Sequence, residues 1–106
     1  MKVANPASPV VSINGDGGFM YVVQELATAV KYRLNVVAAA FDDAGFGNMR
    51  RDQDTRYGGR LLGADLDNPD LVTLAGSFGA EARRVTTSDA LRSAVEHGLA
   101  GAVCRW

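Results

Sequence analysis

Val10-Val11-Ser12-Ile13-Asn14, followed by Gly15-Asp16-Gly17-Gly18, a helical pattern from Phe19 to about Arg33, and Asn35-Val36-Val37-Ala38-Ala39-Ala40-Phe41 decide the fold. The first run is short, apolar and β-rich, and stops abruptly at the glycines, which reads as a buried strand ending in a loop. Apolar residues then recur at Phe19, Val23, Leu26, Ala27 and Val30. That spacing of three and four marks one face of a helix. The run from Asn35 to Phe41 is too short for a globular helix and too uniformly apolar for a half-exposed strand, so it reads as a fully buried parallel strand. Together they form a β-α-β unit.

Outward from this unit, Asp42 to Asp67 is rich in Gly, Asp and Arg. It predicts a functional loop with one short helix around Gly47 to Gln53. Asn68-Pro69 reads as an N-cap with proline at the first helical position, opening a helix with Leu71, Leu74, Ala75 and Phe78 inward and Gly79 at its end. Ala82 to Val85 is a weak strand candidate. Ser88-Asp89 caps a last helix whose inner residues are Leu91, Ala94, Val95 and Leu99. Alternating strands and helices predict an α/β fold, a partial doubly wound parallel sheet with flanking helices. Residues 1–106 read as a single domain without repeat or linker.

Eleven Lys and Arg against 12 Asp and Glu, a formal net charge of −1, give no concentrated positive charge for nucleic acid or an anionic membrane. One Cys and one His cannot build a structural zinc site, which wants four such ligands, and Cys104 has no partner for an internal disulfide. A reducing, cytoplasmic setting is the expectation. No apolar run approaches the roughly 20 residues of a membrane helix, and no signal segment opens the chain.

Parallel strands of a β-α-β unit bring Gly15-Asp16-Gly17-Gly18 and Asp42-Asp43-Ala44-Gly45 side by side at the carboxyl edge of the sheet, where open α/β sheets bind ligands. Glycines allow close backbone approach, and a helix start beside them favours an anion such as phosphate. Asp16 and Asp43 would repel that anion unless a cation lies between. Mg²⁺ fits, because it takes oxygen ligands from one or two carboxylates plus phosphates. Each piece alone has a plainer reading: Gly-Asp-Gly is a common turn, Asp42-Asp43 a helix-capping pair. The dinucleotide fingerprint is not met, since Met20 stands at its last glycine. The combination of acid, helix, strand and second acid carries the argument.

The same residues resemble the thiamine diphosphate-dependent enzymes related to acetolactate synthase and benzoylformate decarboxylase. Their cofactor motif opens with Gly-Asp-Gly and closes, one helix and one strand later, with Asn-Asn or Asn-Asp. Here it opens at Gly15-Asp16-Gly17, continues through Gly18-Phe19-Met20 and Gln24-Glu25-Leu26-Ala27-Thr28-Ala29, and closes at Asp42-Asp43-Ala44-Gly45-Phe46-Gly47-Asn48. The likeness extends through Arg50-Arg51-Asp52-Gln53 and Asp65-Leu66-Asp67-Asn68-Pro69-Asp70, nearly the whole chain.

The resemblance implies the thiamine diphosphate-binding fold, with thiamine diphosphate and Mg²⁺ as cofactors. It makes Asp16 the first metal ligand, the Asp43 side chain the second and the Gly45 backbone carbonyl the third. Gly15 opens the motif, and backbone groups of Gly17, Gly18, Phe46 and Gly47 would cradle the diphosphate. Asp42 departs from the pattern, standing where the family usually has Asn. A carboxylate there costs affinity unless it is turned away or paired, for example with Arg50 or Arg51.

The implied parent function is 2-oxo acid decarboxylation or carboligation. The family's domain begins further upstream and ends with another strand, so Met1 is expected to enter partway through a helix and Trp106 to precede the last strand. Truncation of this kind would uncover Leu26, Val30 and the strands beside them. The glutamate that activates the cofactor belongs to another domain, usually of a neighbouring subunit, and Glu25 is not its counterpart. A homo-oligomer, or a partner chain supplying the pyrimidine-binding domain, is therefore implied. No catalytic residue is assigned within the chain. The alternatives are a non-catalytic fragment or interaction module, and a different Mg²⁺-dependent phosphate-binding α/β protein. His97 is read as facing solvent on a helix rim, Cys104 as inert or exposed by truncation, and Arg50, Arg51 and Arg56 as members of surface ion pairs.

Overall fold

Val11–Gly15 (β1) and Val37–Phe41 (β2) pair in parallel, in a register that runs from Val11 opposite Val37 to Gly15 opposite Phe41. Asp16 and Asp42 therefore leave the sheet together, each one residue beyond the last pair. In the computed structural model residues 2–101 are described; the expectations that rest on Met1, Cys104 and Trp106 fall outside them. Among the described residues the sheet has these two strands, with helices α1 (Asp16–Val22), α2 (Glu25–Lys31), α3 (Gly47–Arg56), α4 (Leu71–Ser77) and α5 (Ser88–Ala100) around it.

Successive side chains of β2 point to opposite faces. Val37 meets α5, so closely that a Cβ on Gly98 would lie 2.6 Å from Val37 Cγ2. Ala40 packs instead on the cluster of Phe19, Leu26, Ala75 and Ala80, with Val23, Val30, Leu71 and Phe78 around it. Helices thus cover the sheet from both sides, as the doubly wound reading requires.

The glycine segment differs from the predicted loop. Only Gly15 is extended, with φ −77° and ψ 160°, and α1 begins at Asp16. The carboxylate favours this start, because it stands at the positive end of the helix and accepts the Gly17 N–H at 2.8 Å. The single predicted helix is also two. At Val23 and Gln24 the bonding tightens to Leu26 N–H with the Val23 carbonyl and Ala27 N–H with the Gln24 carbonyl, both 3.1 Å. Such i→i+3 turns rotate the next stretch of helix about its axis. Ala29 consequently faces the core while Ala27, predicted to do so, is exposed.

Neither strand is as buried as its composition predicts. Val37 and Ala38 are buried, but Phe41 is 56% exposed, and in β1 Ile13 is 73% exposed. Among the described residues no third strand pairs with this sheet, and a groove of about 600 Å³ lies between β2, α4 and α5. Ala82 to Val85, predicted as a strand, lines that groove and forms neither strand nor helix. Leu26, expected to be uncovered, is 2% exposed because α4 packs over it.

Caps shift as well. Asp70, not Asn68, caps α4, accepting from Val72 and Thr73 N–H groups; Thr87, not Ser88, caps α5, accepting from Ala90 N–H. Gly79 ends α4 as predicted, at φ +85°, a conformation that glycine adopts without cost. Beyond β2 the predicted functional loop holds α3 and is closed by one antiparallel bridge between Gly45 and Asp65.

Candidate functional site

The ends of β1 and β2 and the starts of α1 and α3 enclose an open cleft of about 660 Å³, lined by Gly15, Asp16, Gly17, Gly18, Asp42, Asp43, Gly45, Phe46 and Gly47 among others. Every site residue predicted from sequence is thus brought together. The parallel register does this, since it aligns the two strand ends.

Asp16 is 1% exposed. A carboxylate so buried is costly unless hydrogen-bonded, and both oxygens are engaged. Oδ1 accepts the Gly17 N–H at 2.8 Å and Oδ2 accepts Asn68 Nδ2 at 2.5 Å. Asn68 is the residue that sequence reasoning missed. Standing before proline it looked like a cap, and nothing in the local pattern says that its amide reaches 52 positions back along the chain.

Asp42 turns toward the same amide, at 3.0 Å, and lies 3.6 Å from Arg84. The extra carboxylate is therefore paired, by Arg84 and not by the predicted Arg50 or Arg51. Arg50 is taken by an ion pair with Asp65, Arg51 by the Asn48 side-chain oxygen at 3.2 Å, while Arg56 pairs with Asp52 at 2.9 Å. Asp43, one residue on, is exposed on the cleft beside the start of α3: a Cβ on Gly47 would be 3.5 Å from Asp43 Oδ2.

Ala44 has φ +54°, left-handed backbone without a glycine to ease it. Two bonds across the bridge impose it, from Leu66 N–H to the Ala44 carbonyl at 2.9 Å and from Phe46 N–H to the Ala64 carbonyl at 2.8 Å. Because the bonds pass through its neighbours, the Gly45 carbonyl stays outside the ladder. Gly45 must itself be small, as a Cβ there would meet the Ala64 carbonyl oxygen at 2.8 Å.

The cradle residues divide into two kinds. Gly17 N–H is given to Asp16 and Phe46 N–H to Ala64, and the Phe46 ring closes over Gly17. Gly18 faces open space, with nothing within 4 Å of where its Cβ would be. Gly18 and Gly47 lie in the first turns of α1 and α3, where an N–H has no carbonyl one turn back within the helix. Those two are the groups placed to meet an anion.

The ligands that the resemblance names are all oxygens, two carboxylates and a carbonyl; the Met49 thioether is the one sulfur lining the cleft, and no cysteine or histidine among the described residues lines it. An all-oxygen set suits a hard divalent cation which shares its shell with phosphate. Among the described residues no group of three or more acidic, His or Cys side chains assembles a metal cage. His97, predicted to face solvent, is half-exposed on α5, 3.8 Å from Glu81. No helix of the described residues is long and apolar enough to cross a membrane.

Residues 1–104 match the family model for the thiamine pyrophosphate enzyme, C-terminal TPP binding domain. Over 99 residues the chain is 37% identical to a probable acetolactate synthase large subunit of Methanococcus aeolicus, covering 92% of this chain and 16% of that protein. It is 35% identical over 96 residues to the acetolactate synthase isozyme 2 large subunit of Escherichia coli, covering 90% of this chain and 18% of that one. A solved thiamine diphosphate-dependent 4-hydroxybenzoylformate decarboxylase of Rhodococcus jostii superposes with a TM-score of 0.91 at 26% identity, over 98% of this chain and 20% of that one. The chain therefore spans about a sixth to a fifth of the length of the proteins it matches.

Proposed function

The chain belongs to the thiamine pyrophosphate enzyme family, as its C-terminal TPP binding domain, and from that membership we propose that its cleft binds the cofactor's diphosphate through Mg²⁺. The observation that carries this reading is the placing of Asp16 and Asp43 on one cleft by the ends of two parallel strands. Asp16, Asp43 and the Gly45 carbonyl would hold the ion. Gly18 and Gly47 N–H groups would meet diphosphate oxygens, and Gly17 with Phe46 would shape the wall between them. Thiamine diphosphate, when bound, supplies the electron-accepting ring needed to break or form a carbon–carbon bond beside a 2-oxo group.

What this chain contributes is binding and orientation. Asp16 is held by bonds from Gly17 and Asn68, which fix the direction of its carboxylate. Residues 1–106 act as one domain. The parent reaction is 2-oxo acid decarboxylation or carboligation, the class to which the named relatives point. The acid that activates the cofactor would come from a second copy or a partner chain; Glu25 cannot serve, being exposed on α2 outside the cleft. Calorimetric titration with thiamine diphosphate tests the reading. Binding is expected with Mg²⁺ and not with a chelator, because the acids otherwise face the diphosphate unshielded; equal affinity in both conditions would overturn it.

A further inference from the structure

We propose that Asn68 is the positioning residue of the metal site, a fork whose two side-chain N–H groups fix an acid at the end of each strand. The inference rests on the proposed Mg²⁺ site and deepens it. Asp16 follows β1 and Asp42 follows β2, and one amide nitrogen reaches both, at 2.5 Å and 3.0 Å. Carboxylates are acceptors only, so the group between them must offer two donors from one atom; Ser offers one hydrogen and Asp none when ionised. The Asn amide meets this need with its hydrogens diverging in one plane.

The fork has a fixed base. Pro69 restricts the backbone next to Asn68, and Asp70 then anchors α4 through Val72 and Thr73. Arg84 lies 3.6 Å from Asp42 and 3.8 Å from Asp70, closing the far side. Both acids of the site feel the effect. Asp16 gains, beyond the bond within its own turn, one from a distant part of the chain, which sets the direction of its carboxylate. Asp42 is drawn to Asn68 and Arg84, and its neighbour Asp43 is thereby presented to the cleft. The unusual acid at position 42 becomes a strut instead of a competing charge.

Mg²⁺ demands a near-ideal octahedron at short distances, whereas Ca²⁺ accepts longer and irregular shells. A residue that positions ligands should therefore matter more for Mg²⁺ than for Ca²⁺. A residue that merely supports folding should matter equally for both. The test is thiamine diphosphate affinity by calorimetry, with Mg²⁺ and with Ca²⁺, for the parent chain, Asn68→Ala and Asn68→Ser. Asn68→Ala is expected to weaken Mg²⁺-dependent binding on the order of 10- to 100-fold, the usual effect of losing a bond that orients a metal ligand, with a smaller loss for Ca²⁺. Asn68→Ser, keeping one donor, should fall between and remain measurable should the alanine variant not fold. An equal loss for both ions, or none, would overturn the inference.

A second readout needs no ligand. In the metal-free chain the Asn68 side-chain N–H protons should exchange with solvent more slowly in NMR spectra than those of the exposed Asn5. Equal rates would overturn the fork. Should the parent chain bind no cofactor while Asn68 exchange is slow, it is the proposed function that fails and the fork that stands.

Discussion

The Phe46 ring occupies the space that a side chain on Gly17 would need: a Cβ there would lie 2.3 Å from Cε1 and 2.9 Å from Cζ. Gly17 belongs to the opening of the first strand-end motif and Phe46 to the second, so this contact is how the two halves of the site meet. Tyr21 stacks on the same ring, with centroids 6.3 Å apart, which restricts its escape.

Gly17→Ala should therefore destabilise the fold by about 1–3 kcal/mol, the usual cost of overpacking. Urea unfolding checks this. In the double variant with Phe46→Ala the added methyl has room, so the two effects should fall well short of additive.

Gly18→Ala separates binding from folding at the next position. The methyl would enter open space and replace a helical glycine, so stability should hold or rise by about 0.5–1 kcal/mol. Its space is the cleft, and affinity for thiamine diphosphate with Mg²⁺ should fall. Unchanged affinity in calorimetry would place the diphosphate elsewhere.

Adjacent acids should behave differently. Asp43→Ala is expected to abolish metal-dependent cofactor binding. Asp42→Asn should leave it intact or strengthen it, because an amide oxygen still accepts from Asn68 and a negative charge is removed near the diphosphate. Affinities of both variants, measured side by side with Mg²⁺, check the assignment; an essential Asp42 would shift the closing motif by one residue.

The α4 cap gives a pH dependence with a definite sign. The Thr73 hydroxyl, opposed by desolvation and joined by the Val72 and Thr73 N–H groups and Arg84, holds the Asp70 carboxyl below its ordinary value of 3.8. A lowered folded-state value means that the cap's contribution is fully present above the unfolded value and is lost as pH falls through the folded one. Stability measured from pH 6 down to pH 2 should thus fall more for the parent chain than for Asp70→Asn, the gap closing at the acid end. Parallel curves would remove the carboxylate from the account.

Two kinds of information separate cleanly in this chain. Periodicity and punctuation were enough for the α/β class, the parallel pairing of the runs before Gly15 and before Asp42, and the meeting of Asp16 with Asp43, because register in parallel strands aligns the residues just beyond their ends. Local chemistry also marked the helix after Asp42 and the stop at Gly79. Tertiary structure alone decided which groups hold one another. Asn68 serves Asp16 and Asp42 instead of capping a helix, Arg84 takes the counter-charge place expected of Arg50 or Arg51, and the Phe46 ring explains why position 17 has no side chain. Burial was misjudged for the same reason: Ile13 and Phe41 are apolar, but their cover depends on neighbours that no run of sequence states. A pattern reports the preference of a residue for a kind of place. Which partner waits there is fixed by contacts between segments far apart in the chain, and these exist only once it has folded.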